Sequence, residues 1–248
     1  MTIIAHITDT HLLSHPRDLL RGCNPWQSLK AVLQDIAAVQ PDYLLLTGDI
    51  ADAGKSTAYE QAIALIAPLQ IPTYWLPGNH DAIAPLFNCF THPFFQPPQG
   101  TIWEDWQFLS LDSTQAGAQW GEGKLTQESL QKLEKRLQRC SLPALIALHH
   151  HPLPIGLDWL DSIALQNADE FLALVDRFPH VKLVLFGHIH SPFHRQRGEI
   201  DFYGTPSTCV QLHREDDSIS DRQPGFRLLH LHADGTHKTE VRRVCVLT

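Results

Sequence analysis

The sequence predicts an α/β fold in which two packed sheets carry helices on their outer faces. Three observations lead there. Apolar runs of strand length alternate with helix-length segments of 3.6-residue periodicity through the larger, first part of the chain. The remainder is mostly strand, broken by short turns. The apolar runs of the first part stop abruptly at short His, Asp and Asn motifs, as expected where the strands of an open sheet deliver side chains to a shared edge.

The elements follow in order. Thr2–Thr8 is the first strand. Pro25–Ala38 is a helix, with Trp26, Leu29, Leu33 and Ile36 at helical spacing and Pro25 suited to the first turn. Tyr43–Thr47 is a buried strand ending at Gly48-Asp49, Thr57–Ala67 a second helix, and Thr73–Leu76 a strand ending at Pro77-Gly78-Asn79. Ile102–Asp105 and Gln107–Leu111 read as paired strands. Thr126–Cys140 is a charged amphipathic helix capped by Thr126, and Ala144–Leu148 is a strand running into His149-His150-His151. Asn167–Phe178 is a helix with Asn167 and Glu170 at capping-box spacing, and Val181–Phe186 is a strand ending at Gly187-His188. Phe193–Gln196, Ile200–Tyr203, Phe226–His232 and Thr236–Val246 complete the strands, with Arg197-Gly198-Glu199 and Ala233-Asp234-Gly235 as turns. Arg214–Pro224, rich in Asp, Ser and Gln, is expected to be a mobile loop.

At 248 residues the chain fits one large domain, and motifs running from residue 9 to residue 190 assign a single domain to residues 1–248. A net charge of −8 and the lack of a basic run argue against a nucleic-acid polymer as partner. A small anionic substrate stays compatible if bound metals dominate the local field. No apolar run is long enough to span a bilayer. The five cysteines, Cys23, Cys89, Cys140, Cys209 and Cys245, lack CxxC spacing. Reduced, mostly buried thiols in a cytoplasmic protein are therefore expected, without a signal peptide.

The motifs carry the chemistry. Asp9 and His11 share a side if the chain stays extended, so one metal ion can take both. Asp49 closes an apolar run, where a carboxylate is costly unless paired or metal-bound; its two oxygens can bridge two ions. Asn79 offers a neutral carbonyl oxygen, and Gly78 permits an unusual turn. His80 is free to face a substrate, with Asp81 expected to orient its imidazole and raise its pKa. Of the three successive histidines, His149 is the expected ligand, with His150 and His151 in structural hydrogen bonds. His188 and His190 face one side, with Ile189 packed inward. Two carboxylates, an amide oxygen and four imidazoles suit two adjacent transition ions rather than calcium or a thiolate zinc site. Trp103, Trp106, Trp120 and Trp159 are expected to pack rather than stack on a base. The helix Glu128–Arg139 reads as a solvated face, and Gly121-Glu122-Gly123 lacks the context of a phosphate loop.

In order and content, these motifs resemble the calcineurin-like metallophosphoesterase family. Leu148–Gly156, Asp158-Trp159-Leu160-Asp161, Asn167-Ala168, Gly204–Leu212 and His232–Thr236 look more narrowly like the bacterial class III 3′,5′-cyclic AMP phosphodiesterases. The resemblance implies a four-layer α/β/β/α sandwich of two mixed sheets and a dinuclear centre of iron or manganese, with zinc also accepted by such ligands. It implies that Asp9, His11 and His190 hold the first metal, that Asn79, His149 and His188 hold the second, and that Asp49 bridges them. His80 would be the non-ligand catalytic histidine, assisted by Asp81, and His11, Asn79, His80 and His190 would contact the substrate. The implied reaction is in-line attack of a metal-bridging hydroxide on cyclic AMP, giving 5′-AMP. Two alternatives stand beside it: a broad phosphodiesterase for small linear diesters or nucleotide pyrophosphates, and a non-catalytic scaffold, against which the full ligand set and His80 argue. The strand-rich end is a candidate edge for a homodimer.

Overall fold

Pairing sorts the strands into two six-stranded sheets. The computed structural model describes residues 1–96, 100–212 and 218–246. In the first sheet β1 (Thr2–Ile7), β2 (Tyr43–Thr47), β3 (Thr73–Leu76) and β4 (Phe95–Gln96) run parallel, and β11 (Gly225–Leu231) and β12 (His237–Arg243) extend it antiparallel from β1. The second sheet is also built on four parallel strands. Parallel β6 (Trp106–Ser110), β7 (Ala144–Leu148), β8 (Val181–Phe186) and β10 (Ile200–Gly204) form its centre, with β5 (Thr101–Trp103) and β9 (Phe193–Arg197) antiparallel at its edges. Both sheets are thus mixed. Their central strands are covered on both faces, which is why β2, β7 and β8 are apolar runs without alternation.

Three apolar cores separate four layers. Ala5, Ile7, Leu44 and Leu46 pack against helices α1 (Pro25–Val39), α2 (Ser56–Ile66) and α3 (Ile83–Cys89). Ile4, Leu45, Leu76, Phe108, Leu145, Leu183 and Leu185 fill the space between the sheets. Ile146, Leu148, Val184 and Phe186 meet α4 (Gln127–Arg139) and α6 (Ala168–Val175). The order α/β/β/α follows from the two-residue alternation of each strand. The N-caps of α1 and α4 are Asn24 and Thr126, whose side chains accept from Gln27 N and Ser129 N at 2.8 and 3.1 Å.

Some expectations are corrected. Asn167 does not cap its own helix; its amide pairs both ways with the Leu125 backbone at 3.0 Å, tying α6 to the chain entering α4. The strand expected over Thr236–Val246 is shorter, and α3, β4 and the short helix α5 (Asp158–Asp161) add to the predicted elements. Of the cysteines only Cys209 is buried, with Cys245 exposed and the others half-buried. Residues 214–217 of the loop expected to be mobile lie outside the described residues; in the part described, Asp221 accepts from Ser218 N and Oγ at 3.1 and 2.7 Å. No described helix is long and apolar enough to cross a membrane.

Candidate metal centre

The C-terminal ends of β1, β2 and β3 deliver Asp9, His11, Asp49, Asn79 and His80, and those of β7 and β8 deliver His149, His188 and His190. The site therefore straddles both sheets. The chain leaves these strands through left-handed turns, not in extended form. Among the described residues, nine non-glycine residues have positive φ, and five of them are Asp9, His11, Asp49, His188 and His190, at 45° to 68°. This corrects the picture of side chains alternating along an extended segment, although both pairs still converge. Such conformations cost about 1–2 kcal/mol each. Main-chain bonds hold them: Asp9 N and His11 N donate to Gly48 O and Asp49 O at 3.0 and 2.9 Å, and His188 N donates to Asp9 Oδ2 at 3.0 Å. Gly78 has no room for a Cβ, which would lie 2.8 Å from His149 Cε1 and collide with the Asp49 backbone.

Two groups of donor atoms result. In the first, His190 Nε2 lies 3.2 Å from Asp9 Oδ1 and 3.1 Å from His11 Nε2, which is 3.7 Å from Asp49 Oδ2. In the second, Asn79 Oδ1 lies 3.1 Å from His149 Nε2 and 3.0 Å from His188 Nδ1, and His149 Nε2 is 3.4 Å from the same Asp49 Oδ2. Donors about 2.1 Å from one ion sit roughly 3.0–3.4 Å apart in octahedral or tetrahedral sites, close to most of these spacings.

The far nitrogens favour metal ligation. His149 Nδ1 lies 2.8 Å from Thr47 O, His190 Nδ1 2.6 Å from Val210 O, and His11 Nδ1 3.1 Å from Asp52 Oδ1. Each partner accepts only, so these nitrogens carry the protons and each Nε2 presents a lone pair to the site. Facing lone pairs on His11 and His190 require a shared cation or a trapped proton, and the surrounding oxygens and nitrogens suit transition ions. His150 also lies close to His149 and His188. Its nitrogens are engaged elsewhere, Nδ1 with Ser113 Oγ at 2.8 Å and Nε2 with Gly121 O at 3.0 Å, so Asn79 fits the second group better.

The carboxylates and imidazoles also shift one another's titration. Burial alone would raise the Asp49 carboxyl, but His149 and then His11 hold it well below the usual carboxylate range. Burial would lower His149, but Asp49 raises it to about 9. His188, buried among His150, His149 and His151, is held well below the usual imidazole value, first by desolvation.

Asp81 does not reach the His80 ring, which corrects the expected pairing. Its carboxylate accepts from Gly78 N at 2.9 Å, Ala51 N at 3.0 Å, Ile50 N at 3.1 Å and Tyr59 Oη at 3.1 Å. It braces the turns carrying Asp49 and Asn79. Burial, and then the charge of Asp49, push its carboxyl up to about 6. The His80 ring is held instead by Asp52, whose carbonyl accepts from Nδ1 at 2.9 Å, while Nε2 lies 4.0 Å from Asp49 Oδ2. Sequence reasoning missed Asp52. Its position three residues after Asp49 was the available signal.

A cleft lies over the donor groups, lined by His11, Asp49, Asn79, His80, His188 and His190. Leu20, Arg21, Trp120, Trp159, Leu160, Ile163 and Leu212 line it as well. Trp103 and Trp106 are core residues, as expected, each 1% exposed. Trp120 and Trp159 are not, at 75% and 55%.

Two sheets between helices, with a His, Asp and Asn cluster at their shared edge, define the class: a metallophosphoesterase. The chain belongs to the calcineurin-like phosphoesterase family, whose model matches residues 2–192. It is 40% identical over 246 residues to a 3′,5′-cyclic-nucleotide phosphodiesterase of Nostoc sp., covering 97% of this chain and 92% of that protein. To the 3′,5′-cyclic adenosine monophosphate phosphodiesterase CpdA of Escherichia coli K12 it is 41% identical over 252 residues, covering 97% and 89%. The fold matches a protein from Thermus thermophilus with a TM-score of 0.68 at 15% identity, over 98% of this chain and 99% of that one. A dimetal phosphatase from Danio rerio matches with a TM-score of 0.67 at 12% identity, over 99% of both chains.

Proposed function

We propose that this protein hydrolyses 3′,5′-cyclic AMP to 5′-AMP at a dinuclear centre. The observation that carries the proposal is one oxygen, Asp49 Oδ2, common to both donor groups. Asp9, His11 and His190 would hold one ion, Asn79, His149 and His188 the other, and Asp49 both. The activity of the relatives named above supports the substrate. When bound, two such ions would activate water at neutral pH and offset charge on the phosphoryl oxygens; iron or manganese is the expected pair.

The protein's own groups supply the rest. His80 is anchored through Nδ1 and lines the cleft, with its side chain 42% exposed. In its protonated form Nε2 can give a proton to the 3′ oxygen as the P–O3′ bond breaks and water oxygen bonds to phosphorus. The Asp52 carboxylate lies beside that ring, with Oδ1 3.7 Å from Nδ1. Asp81 acts as a positioning residue through the turns it braces.

The test is a substrate panel on protein reconstituted separately with iron, manganese and zinc, with products separated chromatographically. Conversion of cyclic AMP to 5′-AMP at the highest kcat/KM supports the proposal. Higher kcat/KM for glycerophosphodiesters or nucleotide pyrophosphates in every metal form replaces it with a broad phosphodiesterase. Inactivity on all of them with both ions bound replaces it with a scaffold.

A further inference from the structure

The three consecutive histidines part in three directions. His149 turns its Nε2 to the donor groups. His150 Nε2 donates to Gly121 O at 3.0 Å, next to Trp120. His151 Nε2 meets Asp161 Oδ1 at 3.3 Å, two residues after Trp159. Both tryptophan segments are braced further. Glu122 accepts from Trp120 N and Gln119 N at 2.8 and 3.0 Å, and Asp161 accepts from Ile155 N and Gly156 N at 2.8 and 3.0 Å. One tripeptide thus fixes a donor atom and both indole-bearing segments against each other.

The indoles themselves are out in solvent while Trp75, Trp103 and Trp106 are each 1% exposed. They line the same cleft as the donor groups, beside Leu20, Leu160, Ile163 and Leu212. The cleft therefore combines donor groups suited to a phosphoryl group with exposed indoles and apolar side chains suited to a flat ring. We infer that Trp120 and Trp159 form the nucleobase subsite of this cleft. The inference rests on the proposal that the substrate is a cyclic nucleotide. Stacking engages the π-face and not the hydrogen-bonding edge, so the subsite favours base-bearing over base-free diesters and separates one base from another weakly.

The test compares holoenzyme with Trp120→Ala, Trp159→Ala, the double variant and Trp159→Phe. Removing an exposed indole leaves no cavity in the core, so the variants are expected to fold. The first readout is the ratio of kcat/KM for cyclic AMP to kcat/KM for glycerophosphoethanolamine, which lacks a base. This ratio should fall about tenfold in each single Ala variant, chiefly through KM for cyclic AMP, with Trp159→Phe retaining most of it. The second readout is 5′-AMP affinity by calorimetry, with indole fluorescence followed alongside it in the wild type. The double variant should bind 5′-AMP about tenfold or more weakly, and ribose 5-phosphate should not quench the wild type. An unchanged ratio and undiminished 5′-AMP binding in the double variant overturn the inference and leave the exposed indoles as a protein-docking patch. If the wild type fails to hydrolyse cyclic AMP, the reaction proposal falls by itself, and the 5′-AMP titration still decides the role of the indoles.

Discussion

The Nε2 atoms of His11 and His190, 179 positions apart in the chain, face each other over 3.1 Å. Each ring has its other nitrogen engaged by an acceptor, so the pair presents two lone pairs to a single point. A cation there resolves the repulsion, and Asp49 extends the same demand to the second donor group.

Reconstituted protein should accordingly retain two transition ions per chain. Asp49→Ala should retain at most one and lose cyclic AMP turnover by a factor on the order of a thousand. Elemental analysis with parallel kinetics reads both. Two ions retained by the variant would remove Asp49 from its bridging place.

His80 and His149 should separate in their effects. His80→Ala should keep both ions while kcat falls about 10²–10⁴-fold. His149→Ala should lose one ion, with part of the activity recovered in excess metal. Equal metal loss in the two variants would contradict the roles given to them.

Asp81→Asn replaces an acceptor for three backbone N–H groups and the Tyr59 hydroxyl with a neutral amide. Weakening that network should cost about 1–3 kcal/mol in urea unfolding and lower metal affinity about 10–100-fold. Tyr59→Phe should do much less. A variant as stable as the wild type would show that the turns hold without this brace.

His6 gives the pH dependence. It lies between the sheets, with Nε2 2.7 Å from Thr47 Oγ1 and Nδ1 2.7 Å from Thr205 Oγ1. Burial, and then the charge of Arg227, lower it from 6.5 to about 3. The unfolded chain therefore binds this proton first as pH falls. The stability is fully present above pH 6.5 and is lost as pH drops through the window from 6.5 to about 3. The loss from this one group is about 1.4 kcal/mol per pH unit well inside the window. Urea titrations of metal-free protein from pH 7.5 downward check it, and His6→Gln should reduce the proton uptake on unfolding by about one.

The strand ends were legible because an apolar run that stops at Asp or His has few inexpensive explanations, and several such ends point to one edge. The pairing of Asn167 with Leu125 was not legible, because it joins positions 42 apart and overrides a plausible local cap. Nor was the exposure of Trp120 and Trp159. An indole reads as core filling in any sequence, and only the tertiary arrangement leaves these two in a cleft. The left-handed turns at Asp9, His11, Asp49, His188 and His190 were also hidden, since no glycine marks those positions.

The donor atoms come from both sheets, and the first group needs residue 9 beside residue 190. No short stretch of the nascent chain can present that ligand set. Metal ions held there would arrive too late to nucleate folding and would act as a latch on a topology already reached. A latch absent from the folding transition state slows unfolding and leaves the folding rate nearly unchanged. Longevity of the folded enzyme would then depend on the supply of free metal ions, while the speed of its maturation would not.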